Sequence, residues 1–239
     1  MTDAGWRRLD AAMGMTSIVL ITAALMLPGQ PPRTSDAAER LGQSLVADRG
    51  AFLASQYLAG LAAFAFIWFA PRLRSHLGGE DEGAGRLATA SAVGMLLGLT
   101  LVLAGMTLFS GMALKAAGEA DAVVVRAAVD IGNELIGSSK FAFAATLFTG
   151  SLAGAKSGSI SQWLALFGLL GGPLLALSAA SVFAESAFFE FGGPVDLLGG
   201  ALPPAWLFAL SVQIYRRAGA RESGRLGTRH STGPQARSA

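Results

Sequence analysis

Long apolar runs alternate along the chain with short segments that carry most of the lysine, arginine, aspartate and glutamate. An α-helix rises 1.5 Å per residue, so about 20 apolar residues cross a hydrocarbon layer of roughly 30 Å. Six runs are read as spans, over residues 11–27, 51–70, 87–114, 141–155, 162–184 and 197–215. They show no polar face of the kind a soluble helix turns to water. The pattern predicts an all-α protein, a polytopic transmembrane helical bundle of about six spans.

The intervening segments set the boundaries. Residues 28–50 hold Pro28, Gly29, Pro31 and Pro32 and then mixed charges, which suits a watery loop with a short surface helix near residues 37–47. Pro71, Arg72, Arg74 and His76 close the second span behind Trp68 and Phe69, which suit an aromatic belt. Residues 115–140 alternate charge with Val123, Val124, Ala127, Ile131 and Leu135 at helical spacing. This predicts an amphipathic helix, either lying on the surface or running on into the fourth span. Gly171-Gly172-Pro173 and Pro203-Pro204 are expected to break their helices locally. Residues 216–239, rich in Gly, Ser and Arg, are expected to form a disordered basic tail. Trp6, Arg7 and Arg8 ahead of the first run also fit a signal peptide, but the run is long and lacks a small-x-small cleavage site, which favours a retained span.

Composition agrees with this picture. Of 239 residues, 52% are hydrophobic and 14% charged, against about 25% charged in soluble domains. With no cysteine, disulfides and thiolate chemistry are excluded. Charge placement supplies the orientation. With six spans and an inside N-terminus, the inner segments hold Arg7, Arg8, Arg72, Arg74, Arg86, Lys156 and six tail arginines, which is twelve of the eighteen basic residues. Such an excess is expected on the cytoplasmic side. The reading is a multi-pass protein of the cell membrane with both termini in the cytoplasm, its tail arginines able to meet anionic lipid.

Candidate chemistry is sparse. Asp130 and Glu134 are spaced to share a helix face, with Asn133 and Lys140 nearby. If the protein transports a cation or proton, Asp130, Asn133, Glu134 and Glu185 form the polar site, at an outer surface that Glu190 and Asp196 would make more acidic. The plainer alternative is a solvated helix, and charges on every turn of the segment favour it. Gly94 and Gly98, Gly150 and Gly154, and Gly168 and Gly172 each repeat at four residues. That spacing suits close helix approach within one bundle or between copies. The only histidines are His76 and His230, so no span supplies a histidine pair for haem or metal, nor a serine–histidine couple. No nucleotide loop or metalloprotease motif is present. No catalytic residue, cofactor or metal site is expected, and no nucleic-acid partner. The expected partners are the lipid bilayer and a membrane protein or second copy.

Three short motifs carry a resemblance: Phe69-Ala70-Pro71-Arg72-Leu73 closing the second span, Asp130-Ile131-Gly132-Asn133 leading into the fourth, and Gly158-Ser159-Ile160-Ser161-Gln162-Trp163-Leu164 opening the fifth. In layout, residues 10–215 resemble a loose group of bacterial six-helix integral membrane proteins that carry a domain of unknown function. Members of that group often place a proline in the last motif, where this chain has Ser161 and Gln162. The resemblance implies a six-helix layout and no particular activity. The first functional expectation is a non-enzymatic membrane bundle with a structural, accessory or regulatory role. The second is a small transporter or permease using the outer acidic region.

Overall fold

A computed structural model describes residues 3–29, 37–116, 121–179 and 194–231. Among the described residues seven α-helices follow one another: α1 (Asp3–Met26), α2 (Ala38–Ala47), α3 (Arg49–Gly78), α4 (Glu82–Gly111), α5 (Ala122–Ser157), α6 (Gln162–Ser178) and α7 (Pro194–Ser231). A π-helical turn, Met112–Ala116, extends α4. Among the described residues there is no strand. Four segments are long and apolar enough to cross a membrane: Gly5–Met26, Arg49–Gly78, Glu82–Leu114 and Leu198–Arg217. The architecture is that of an all-helical transmembrane protein. Of the other two expected spans, the fifth matches α6, apolar but only 17 residues long over its described part, and the fourth is absorbed into α5.

Local signals explain where the helices start and stop. Asp81 accepts the Ala84 N–H at 2.6 Å and caps α4, Asp121 accepts the Val123 N–H at 3.0 Å and caps α5, and Ser161 caps α6 through Leu164. Gly158 ends α5 in the left-handed region at φ 65°, a conformation glycine adopts without steric penalty.

Residues 122–157 form one helix of 36 residues, so of the two alternatives for the mixed segment the structure takes the one that runs on into the fourth span. The proline-containing helices differ from the sequence reading. The α6 helix runs through Pro173 and α7 through Pro203 and Pro204 without a break. A proline withdraws one ladder hydrogen bond and crowds the carbonyl four residues back. For Pro203 and Pro204 those carbonyls belong to Gly199 and Gly200, which carry no Cβ to add to the crowding. The α3 helix likewise continues past Pro71 to Gly78. The α7 helix is described as far as Ser231, and residues 232–239 of the basic tail lie outside the described residues.

The crossing helices run alternately in opposite directions. The most extensive helix contact is between α4 and α5, whose seam is built on glycines. A Cβ on Gly94 would meet Thr146 Oγ1 at 2.8 Å and the Ala142 carbonyl at 3.0 Å. One on Gly105 would lie 2.7 Å from the Gly132 carbonyl, and one on Gly132 would lie 2.7 Å from the Phe109 ring. The α5–α6 seam repeats the device, with Gly168 against Ser151 and Gly172 against the Ala144 carbonyl. The three glycine pairs of the sequence therefore all face neighbours inside one bundle.

The main core gathers Phe66, Phe69, Leu73 and Leu77 of α3, Met95 and Leu99 of α4, Leu147 of α5, and Trp206, Leu207 and Leu210 of α7. A second cluster at the opposite end seats Leu41 and Leu45 of α2 on Phe52, Phe109, Val125 and Val129. The short helix thus caps the bundle. Outside, the surface stays apolar: Phe64 and Ile67 of α3, Val93 and Leu97 of α4, and Leu170, Leu174 and Leu177 of α6 are all exposed. An apolar exterior of this extent is what lipid contact requires and water penalises.

Candidate functional site

The α5 helix turns part of its apolar stripe outward. Val123, Val124 and Ile131 are exposed. Val125, Val129, Gly132, Asn133, Gly137 and Lys140 are buried instead. Branched aliphatic side chains thus stand on both sides of α5, while Gly132, Asn133, Gly137 and Lys140 turn in.

This separates the expected polar site. Asn133 is buried, Glu134 is exposed and Asp130 is half-buried. Asp130 Oδ2 sits 3.3 Å from Arg126 Nε one turn back, an i,i+4 pair within α5. Glu185 lies outside the described residues. Asp130 and Glu134, although four apart, thus stand at different depths in the surface. Lys140, only 5% exposed, is the most deeply buried cation among the described residues. It lies between Ile136 and Phe143, which meet α4 at Gly105 and Gly98 respectively. Lys140 therefore stands level with the middle of α4, far from either end of that helix.

Hydroxyl groups in the interior serve packing. Ser17 Oγ donates to the Ala62 carbonyl at 2.8 Å, Ser55 Oγ to Ala24 at 2.5 Å, Ser91 Oγ to Thr146 at 3.0 Å and Ser110 Oγ to Phe52 at 3.1 Å. Each bond ties one helix to the backbone of another. Trp206, 1% exposed, donates its Nε1 hydrogen to the Leu164 carbonyl at 3.2 Å. Gly150 and Gly168 make room for its ring.

A second polar region lies at the end of the bundle where α1 begins, α3 ends, α5 turns into α6, and α7 passes Tyr215. Here Arg7, Arg72, Ser75, His76, Gly158, Ser159, Ile214 and Arg217 line an open cavity of about 350 Å³. Arg72, Ser75 and His76 share one face of α3 because they lie three and four residues apart. Arg217 donates to the Ser159 carbonyl, which also accepts from Gln213 Nε2 at 3.4 Å. Arg7 Nε is buried and has no hydrogen-bond partner among the described residues. Three further cations at this end have acceptors outside the cavity. Arg74 Nε donates to Thr89 Oγ1 at 2.8 Å, Arg86 pairs with Glu82, and Lys156 Nζ sits 2.9 Å from Asp81 Oδ1. That last pair, together with the Ala84 N–H, holds the Asp81 carboxyl below its ordinary value. The sequence reading takes Arg7 and Arg72 as orientation signals and lets the tail arginines, Arg217 among them, meet anionic lipid. What it missed is their convergence, for which no spacing rule exists because they come from three separate helices.

Among the described residues no three His, Asp or Glu side chains gather where they could share a metal ion. Comparison with models of protein families, with curated proteins and with solved structures gives no match.

Proposed function

We propose that the chain is a multi-pass protein of the cell membrane that crosses it six times with both ends in the cytoplasm. Its role is that of a non-enzymatic structural, accessory or regulatory bundle beside a membrane-protein partner or a second copy. The observation that carries this reading is the use made of interior polar groups. Ser17, Ser55, Ser91 and Ser110 each spend their hydrogen bond on the backbone of a neighbouring helix, and the glycine seams bring the backbones together. These four hydroxyls are thereby spent on packing. The six-fold count is supported by the outward apolar stripe of α5 and by the antiparallel alternation of α1, α3, α4, α5, α6 and α7. The layout also agrees with the group of six-helix bacterial membrane proteins that the three sequence motifs resemble.

Single cysteines at Ser35, Ser75, Ala120, Ser157, Ser186 and Ser223, probed with an impermeant thiol reagent on intact cells, test the topology. Labelling is expected at Ser35, Ala120 and Ser186 alone, and any other pattern breaks the six-span scheme. Copurification from native membrane tests the accessory role. A stoichiometric membrane-protein partner or a stable dimer supports it, and a monomer recovered alone counts against it.

A second reading, a small transporter or permease, is favoured by Asn133 and Lys140 on the inner face of α5, since a charge inside a bundle is costly and often functional. Cation-dependent uptake into proteoliposomes that falls when Asp130 and Glu134 become Asn and Gln would support the acidic site. Uptake unchanged in that double variant would remove it.

A further inference from the structure

We propose that the cavity walled by Arg7, Arg72, His76 and Arg217 is a binding site for a phosphate-bearing anion, the headgroup phosphate of an anionic phospholipid or a free phosphate compound. The first ground is charge. Three guanidinium groups and an imidazole from α1, α3 and α7 line one cavity, and its described lining residues include no carboxylate. Guanidinium forks match phosphate oxygens in geometry and remain charged at any relevant pH. The second is hydrogen-bonding capacity. Arg7 Nε is buried without a protein acceptor among the described residues, while Arg74, Arg86 and Lys156 nearby each have one. The third is size, since about 350 Å³ lies within the ordinary range of small-molecule sites.

The surroundings favour the lipid source. Trp6 and Trp68 stack at a centroid distance of 6.5 Å, each about half exposed, next to Arg7 in α1 and one turn before Arg72 in α3. Aromatic pairs of this kind sit at headgroup level, and basic pockets between transmembrane helices suit anionic headgroups. The site is independent of the proposed accessory role. Its failure would leave the topology test untouched.

The test uses the full chain purified in neutral detergent, with the thermal unfolding midpoint followed against added phosphatidylglycerol, phosphatidylcholine or inorganic phosphate. A saturable rise with phosphatidylglycerol and none with phosphatidylcholine is expected. A rise with phosphatidylglycerol alone identifies the lipid, and a rise with inorganic phosphate identifies a soluble anion. The Arg7→Gln/Arg72→Gln double variant is expected to bind at least about tenfold more weakly, the loss of two charged contacts near the surface. Arg86→Gln, also at this end but outside the cavity, should bind as the parent does. Should the double variant fail to fold, Ser75→Glu places a carboxylate on the exposed rim, leaves every arginine in place, and should abolish the response. Equal responses to both lipids with none to phosphate, or an undiminished response in the folded variants, would overturn the proposal.

Discussion

Lys156 Nζ lies 2.9 Å from Asp81 Oδ1, joining the last turn of α5 to the residue that caps α4. Because α4 and α5 share the most extensive helix contact of the bundle, this ion pair closes their seam at one end. Lys156 lowers the Asp81 carboxyl first, through their hydrogen bond, and the Ala84 N–H second. A carboxyl held low in the folded state contributes stability above its unfolded value, near pH 4. That contribution is lost as pH falls through the lower folded value. Asp81→Asn keeps a capping oxygen and removes the charge. The parent should exceed the variant in unfolding midpoint by a small margin at neutral pH, and the two should converge below about pH 4. High salt should shrink the margin too, because both side chains are half-exposed. A gap that widens toward low pH would contradict the assignment.

Much of the fold was legible because hydrophobic run length maps directly onto helices that must cross lipid. The runs containing Leu96-Leu97 and Phe64-Ala65-Phe66 became α4 and α3, and α2 stands almost where a short helix was expected. The facing of α5 was not legible. Val123, Val124 and Ile131 have the spacing of a buried stripe, and spacing cannot say whether the surroundings are water or lipid. With lipid outside, these three residues face out. The proline breaks were overcalled because the rule for an exposed helix omits neighbours that hold it. The basic cavity was invisible for a different reason. Arg7, Arg72 and Arg217 are scattered in the chain, and only antiparallel packing of α1, α3 and α7 brings them to one opening.

The α4–α5 seam predicts a sharp contrast between two glycines. A Cβ at Gly105 would come within 2.7 Å of the Gly132 carbonyl, whereas one at Gly60 would meet nothing within 4 Å. A backbone atom cannot step aside as a side-chain tip can. Gly105→Ala should therefore cost about 1–3 kcal/mol by overpacking. Gly60→Ala should be neutral, or stabilise by up to about 1 kcal/mol through helix propensity. Reversible unfolding in mixed micelles, with helical circular dichroism as the readout, distinguishes the two, and equal midpoints would contradict the seam.

Trp206 predicts the largest single loss. Its ring is 1% exposed, it fills space left by Gly150 and Gly168, and its Nε1 binds the Leu164 carbonyl. Trp206→Ala leaves a cavity between α5, α6 and α7 and should cost about 3–5 kcal/mol. Trp206→Phe keeps most of the volume but removes the donor, so about 1 kcal/mol is expected from the lost hydrogen bond. A phenylalanine variant as unstable as the alanine variant would show that the hydrogen bond, not the volume, dominates.

Three charged positions on α5 separate surface from interior. Glu134 is exposed, so Glu134→Gln should stay within about 0.5 kcal/mol of the parent. Asp130 pairs with Arg126 in a geometry that leaves both side chains 41% exposed, and Asp130→Asn should cost about 0.2–1 kcal/mol, less at high salt. Lys140 is 5% exposed and level with the centre of α4. Removing a buried polar group strands whatever it bonds, and such losses run to about 1–3 kcal/mol, more for charged groups. Lys140→Ala should therefore destabilise more than the other two together, with little dependence on salt because the site is screened from solvent ions. Lys140→Arg keeps the charge but enlarges the group in a packed interior, and should fall between the parent and the alanine variant. If Lys140→Ala unfolds at the parent midpoint, the amine does not occupy the interior position that α5 gives it, and the inward orientation of the Asn133–Lys140 face is wrong.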